Sequence, residues 1–400
     1  MDLIVRRADI ASPGARDVEV VERKGLGHPD TICDGVAERI CVRLCRHYLE
    51  RFGQVLHHNV DKVLLVGGSA TPVFGGGEVT APIEIYLGGR ATDEYRGERI
   101  PIHDIAVEAC REWLRTHLRG LDADRHVRIM SRLRPGSGDL VRLFGRTAGT
   151  PLANDTACGT GFAPLTDLEA VVLEVERRLN HADTRRSHPA IGEDVKVMGV
   201  RRGGRIDLTI GCAFVSGRVR DADDYGQAKH AARELALAAA RRVSPMDVTA
   251  VVNAADDLAA GEVFLTVTGT SAEAGDDGEA GRGNRASGLM TPYRPMTLEA
   301  VAGKNPVTHV GKLYNILAGQ IAAALVDIPG VVGAECLMVS QIGRPVSDPQ
   351  IVDVRLACDE PASATALHRS VRELIRRSLD RIADLRDALL HDVGESLTGI

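Results

Sequence analysis

No apolar run in this chain approaches the roughly 18 to 20 residues of a membrane span, and its start, MDLIVRRADIASPG, has no hydrophobic leader core. Both absences lead us to expect a cytoplasmic protein. There is no GxxxxGK followed by Ser or Thr, which excludes a P-loop at the motif level. The eight cysteines, at 33, 41, 45, 110, 158, 212, 336 and 358, form no CxxC, and the pair His57 and His58 has no cysteine at zinc-site spacing. Neither a disulfide framework nor a zinc site is expected. Nor is there a sustained basic face. With 49 Lys and Arg against 55 Asp and Glu, the net charge is −6, which argues against a general nucleic-acid or membrane-surface binder. Any polyanion site must be local. What the chain does have is length, 400 residues at 44% hydrophobic, ample for a large core divided over two or three domains.

Its most informative stretch runs from Gly275 to Lys312, where glycines are mixed with two adjacent acids and several cations. Glycine lets backbone approach an anion closely. Arg282, Arg285, Arg294, Lys304 and Lys312 can neutralise it, and Asp276 or Asp277 can hold a metal or a ribose hydroxyl. Alone, such a run is as readily a solvated surface loop. A second segment of similar character, ERKGLGHPDTICDGVAERI from Glu22 to Ile40, lies far upstream. There Ile32, Cys33, Val36, Ile40, Cys41, Leu44 and Cys45 recur at helical spacing, so His28 to Asp30 fall at a helix N-terminus, an anion-binding end. Asp30 reads locally as an N-cap or a ligand, and the three cysteines as core. GRGNRA, from Gly281 to Ala286, matches the loose dinucleotide pattern but has no adjoining strand and helix, so it does not indicate a dinucleotide fold. RPGSGDL, from Arg134 to Leu140, follows an expected strand as a further turn able to face an anion.

Strand and helix patterns alternate without an obvious linker. Strands are expected at 62–67 and 83–87 around a Gly-rich turn, at 127–133, 195–200, 206–215, 263–268, 334–342 and 351–357. Helices are expected at 105–118, 168–179, 222–243, 311–326 and 364–390. Three rounds of strands followed by helices suggest a repeated α+β unit, although no sequence repeat is visible.

The blocks ERKGLGHPDTICDG, LHHNVDKVLLVGGSATPVFGGG, PLANDTACGTGFAPL, IGEDVKVMG, VFLTVTGTSAEAGDDGEAGRGNR, GLMTPYRPMTLEAVAGKNPVTHVGKLYN and SQIGRPVSDP resemble, in the same order, those of the archaeal-type S-adenosylmethionine synthetases. The likeness runs nearly end to end. It implies an α+β fold of three similar interleaved α/β subdomains: 1–24 with 165–268, 25–133 with 269–308, and 134–164 with 309–400. It implies a homodimer or tetramer with the active site between subunits, ATP and L-methionine as substrates, and Mg2+ and K+ as cofactors. The implied reaction is attack by the methionine sulfur on the ribose C5′ of ATP, expelling triphosphate, which is then hydrolysed to pyrophosphate and phosphate.

By position in the family's motifs, His28 corresponds to a histidine beside the triphosphate bridging oxygen and Asp30 to a magnesium ligand. Lys196, Arg282 and Lys304 correspond to cations that grip the phosphates. Asp276 corresponds to a nucleoside contact and Asp155 to an acid near methionine and ribose. Arg285, His309 and Lys312 join the substrate-binding set, as do Gly136, Ser137, Gly138 and Asp139. Asn59 and Asp61 are candidates for ion contacts or for a strand cap. The chain departs from the family at Pro135, where an amide that helps hold methionine is common, and at Ala157 and Cys158, where a serine and an aromatic residue are common. These changes keep an adenosyltransferase toward a bulkier thioether in view as an alternative. A catalytically idle nucleotide-binding subunit is the other, and the joint presence of His28, Asp30, Lys196, Arg282 and Lys304 speaks against it.

Overall fold

In the computed structural model, which describes residues 1–7, 12–145, 150–359 and 364–390, the main strands gather into three sheets, each with its own helices and its own apolar core. The first sheet has the order β13-β12-β11-β2, from β2 (Val18–Lys24), β11 (Ile191–Arg202), β12 (Arg205–Val215) and β13 (Asp247–Val252), with the two-residue β14 (Leu265–Thr266) beside β12. Helices α4 (Asp167–Leu179) and α6 (Ala222–Val243) pack on it, and the short α5 (Ala182–Ser187) follows α4. A capping box starts α4: the Thr166 hydroxyl accepts from Glu169 N–H while the Glu169 carboxylate accepts from Thr166 N–H.

The central sheet has the order β15-β3-β6-β9, from β3 (His58–Val66), β6 (Ile83–Ala91), β9 (Val127–Ser131) and β15 (Gly278–Glu279). Helices α1 (Pro29–Phe52) and α2 (Ile102–His117) cover it. Where a Gly-rich turn is expected between β3 and β6, the chain makes a separate hairpin of β4 (Ser69–Val73) and β5 (Gly76–Ala81). A small pair, β7 (Glu94–Tyr95) and β8 (Glu98–Arg99), lies beyond β6.

The third sheet has the order β1-β17-β16-β10, from β1 (Asp2–Arg7), β10 (Cys158–Ala163), β16 (Val331–Val339) and β17 (Ile351–Cys358). Helix α7 (Val310–Leu325) lies across it with α8 (Ala364–Asp380) and α9 (Ile382–Leu390), so the long helix expected at 364–390 is broken at Arg381.

Two of the expected boundaries fail. β1 runs parallel to β17 with Asp2 opposite Ile351, so residues 2–7 complete the third sheet and do not belong with 18–24. The short α3 (Gly138–Gly145) buries Phe144 in the central core, edge-on to His57 at 5.9 Å, and so leaves the unit expected for 134–164. In both cases, a ladder or an aromatic contact far off in sequence decides the placement.

Candidate active site

Helix α1 organises the site. Its apolar residues face the central sheet, while Asp30, Asp34 and Glu38, four residues apart and therefore on one face, are all buried. Each holds a different part of the Gly-rich segment. Asp30 accepts from Glu279 N–H at 2.9 Å, Asp34 from Gly281 N–H at 2.8 Å and Glu38 from Gly303 N–H at 3.0 Å. A carboxylate taken from water is tolerable only with such partners. Where they are few, the proton returns: burial pushes Asp34 up to about 7, against the pull of the Gly281 N–H and Arg285.

At the N-terminus of α1, His28 is the cap residue, and its Nδ1 accepts from Asp30 N–H at 3.2 Å. Burial, aided by Lys24 and Lys196 and opposed by Asp30 and Asp276, lowers its pKa to about 4, so the ring is neutral near pH 7. With Nδ1 accepting, the proton of that neutral ring sits on Nε2, leaving a donor for an incoming oxyanion. Around it stand Lys24, whose Nζ lies 2.8 Å from Asp30 Oδ2 and 2.9 Å from the Arg282 carbonyl, and Lys196, 3.6 Å from Glu22. The Asn284 side chain fixes the Lys24 backbone by bonds of 3.0 and 2.8 Å. Arg282 is exposed beside this group. Gly27 is required here, since an added Cβ would fall against the backbone nitrogen of Asp194, well inside contact distance. Asp194 in turn binds the Ser271 N–H and hydroxyl, and that hydroxyl also reaches Asp276 at 3.1 Å.

A second cluster lies two turns along α1. Lys304 Nζ is 3.1 Å from Asp61 Oδ2 and 3.5 Å from Glu299. His309 caps α7, its Nδ1 accepting from Gly311 N–H at 3.3 Å, and burial together with Lys304 lowers its pKa to about 3 despite Asp61. Lys312 is turned inward, its Nζ 2.6 and 2.7 Å from the two oxygens of Glu38. Arg285 likewise binds backbone: its guanidinium donates to the Gly281 and Gly283 carbonyls at 2.5 and 2.9 Å. Both residues shape the Gly-rich segment that carries Arg282 and Lys304. Of the buried oxygens that lack a hydrogen-bond partner among the described residues, Asn59 Oδ1 and Asp61 Oδ1 lie in this cluster, and both are hard donors beside Lys304.

The structure brings together His28, Asp30, Lys196, Arg282 and Asp276, and in the neighbouring cluster Lys304, His309 and Lys312. It leaves Asp155 exposed on the loop before β10, its carboxylate accepting from Thr156 N–H at 2.7 Å. Ser137, Gly138 and Asp139 are exposed at the start of α3, Gly136 is half-buried against His57, and Asp139 pairs with Arg142. Lys24, Asp34, Glu38, Asn284 and Asp194 were not singled out in the sequence. For the acids of α1 a signal existed, since their four-residue spacing runs beside the apolar stripe.

The S-adenosylmethionine synthetase (AdoMet synthetase) family matches residues 2–393. A probable S-adenosylmethionine synthase of Aquifex aeolicus is 51% identical over 373 residues, covering 92% of this chain and 93% of that protein. The S-adenosylmethionine synthase of Hyperthermus butylicus is 48% identical over 396 residues, covering 96% of each. Among solved structures, an unusual S-adenosylmethionine synthetase from Campylobacter jejuni superposes with a TM-score of 0.61 over 96% of this chain and 99% of that one, at 14% identity, which is a likeness of fold. With the cation-lined N-terminus of α1 and a match over almost its whole length, the chain belongs to the S-adenosylmethionine synthetase family, the methionine adenosyltransferases.

Proposed function

We propose that the protein transfers the adenosyl group of ATP to the sulfur of L-methionine and then hydrolyses the released triphosphate to phosphate and pyrophosphate. The observation that carries this is the neutral His28 held by Asp30 N–H, with Lys24 and Lys196 beside it. The sulfur lone pair forms the new bond to C5′ as the C5′–O bond breaks, and the electron pair leaves with the triphosphate. A thioether needs no base, so catalysis consists of alignment and of stabilising charge on the departing oxygen. His28 Nε2–H, Lys24, Lys196 and Arg282 supply that stabilisation at one end of the triphosphate. Lys304 supplies it toward the other.

Magnesium fits the donor set, because Asp30 and Asp61 are carboxylates beside a polyphosphate site and Asp61 Oδ1 is buried without a partner. It would supply charge neutralisation on the phosphate oxygens. The free Asn59 Oδ1 is the donor best suited to potassium. Asp155 and the 136–139 turn, exposed and away from His28, are the groups a second subunit would bring over the site, which supports a dimer. The test is to incubate the protein with ATP, magnesium, potassium and methionine and follow products by chromatography. Equal S-adenosylmethionine, phosphate and pyrophosphate, abolished by His28→Ala, is the expected result. Phosphate release without S-adenosylmethionine would reject it.

A further inference from the structure

Cys41, Cys45 and His58 are fully buried and meet at one point, with the Lys304 backbone beside them. Cys41 and Cys45 are one turn apart on α1, and His58 opens β3 across from them. His58 Nε2 lies 3.2 Å from Cys41 Sγ and 3.5 Å from Cys45 Sγ. For sulfur at about 2.3 Å and nitrogen at about 2.0–2.1 Å from one tetrahedral metal, the S···N separation is about 3.5 Å. The imidazole is also oriented for ligation. Its Nδ1 is 2.8 Å from the Leu56 carbonyl, an acceptor, so Nδ1 carries the proton and Nε2 presents its lone pair to both sulfurs. The Lys304 carbonyl accepts from the Cys41 S–H at 3.3 Å, a bond that metal binding would replace.

We propose that Cys41, Cys45 and His58 form a structural site for a soft, thiophilic d10 cation, Zn2+ or Cu+, that clamps α1 to the start of β3. Two thiolates and a neutral imidazole around Zn2+ carry no net charge, which suits a site closed to water. Around Cu+ the same set carries one negative charge, and the nearby Lys312 ammonium is already paired with Glu38. The two thiols do not follow the usual zinc spacing, and only the turn that carries β3 back along α1 brings His58 to them.

The test is the metal content, by mass spectrometry, of tag-free protein from cells grown with added zinc or copper, beside Cys45→Ala. One zinc or one copper per chain, resistant to chelator and lost from the variant, is expected, and the metal found names the ion. Because the variant risks failing to fold, wild-type protein from cobalt-supplemented cells supplies a second readout, a sulfur-to-cobalt charge-transfer band in the near ultraviolet. No metal above background and no such band would overturn the proposal, as would equal metal in wild type and a folded Cys45→Ala. The three side chains would then be a packed S–H···N group.

Discussion

Replacing Lys312 by Met should destabilise the fold far more than it affects surface charge. The ammonium and the Glu38 carboxylate are both about 1% exposed and meet at 2.6 and 2.7 Å, so neither has water in reserve. Burial works against both charges and raises the Glu38 pKa, yet Glu38 also lifts the Lys312 pKa above its ordinary value, and the two short bonds from one ammonium to both carboxylate oxygens point to an ionised pair. Removing one partner leaves the other buried and uncompensated, at a cost of about 3–5 kcal/mol. Removing both charges should restore most of it, because the desolvation penalty then disappears too. Glu38→Gln with Lys312→Met is the suitable double variant, since the amide oxygen can still accept from Gly303 N–H. Equilibrium urea unfolding of the wild type, both single variants and the double variant gives the coupling directly. The reasoning fails if Lys312→Met loses less than about 1 kcal/mol, or if the double variant is as unstable as Lys312→Met, since either would mean that the charges are solvated or already neutral.

Four further outcomes are expected. His28→Ala should lower kcat by about 10²–10³-fold, the usual cost of one oxyanion donor, with a small change in the KM for ATP, and an unchanged kcat would remove His28 from the chemistry. In the wild type the acid limb of kcat/KM should fall near pH 4, because the ring must stay neutral and burial has depressed its pKa to about 4; a limb near 6.5 would mean that the ring is not desolvated. Gly27→Ala should cost about 1–3 kcal/mol of stability and most of the activity, because its Cβ would press on the Asp194 backbone and displace the turn that carries His28; retained activity would show that the turn is slack. His309 carries a pH dependence of stability. Its folded pKa, about 3, lies below the unfolded value, so its contribution is complete above pH 6.5 and is lost as pH falls toward 3. At most this is on the order of 4–5 kcal/mol. His309→Asn should flatten that limb in a urea titration against pH, and an identical curve would refute the assignment.

The elements legible in the sequence were those whose inner face is apolar. Helix α6 coincides with its expected range and the β11–β12 hairpin extends its expected strands by a few residues, because Ile206, Leu208 and Ile210 alternate inward as the pattern requires. β2 was missed for the opposite reason. Its buried face is Glu19, Val21 and Arg23, two charges and one valine, with Glu19 on Arg201 at 3.1 Å and Arg23 paired to Glu176. A hydrophobic count assigns those residues to solvent. β10, CGTGFA, reads as loop, but Gly159 and Gly161 are there because α7 packs directly on the strand: an added Cβ at either would strike the backbone of Tyr314 or Ala318. β1 is short and sits at an edge, and only its distant partner β17 makes it a strand.

For the site, the motif picked out the residues that the fold gathers around His28 and Lys304, because charge and glycine are visible one residue at a time. What it did not show is how they are held still. Arg285 and Lys312 look like phosphate ligands in sequence, since a cation in a Gly-rich run has no visible partner. Their partners, the backbone carbonyls of Gly281 and Gly283 and the carboxylate of Glu38, appear only when α1 is laid along the segment. A loop of glycines is costly to order, so its precision must come from outside it. Asp30, Asp34 and Glu38 provide this from a single rigid helix whose other face is core. Their three bonds fix the loop at Glu279, Gly281 and Gly303, on both sides of Arg282 and next to Lys304. On the proposed reaction the cations are thus in place beforehand, and little reorganisation would be left for the moment when charge develops on a leaving oxygen.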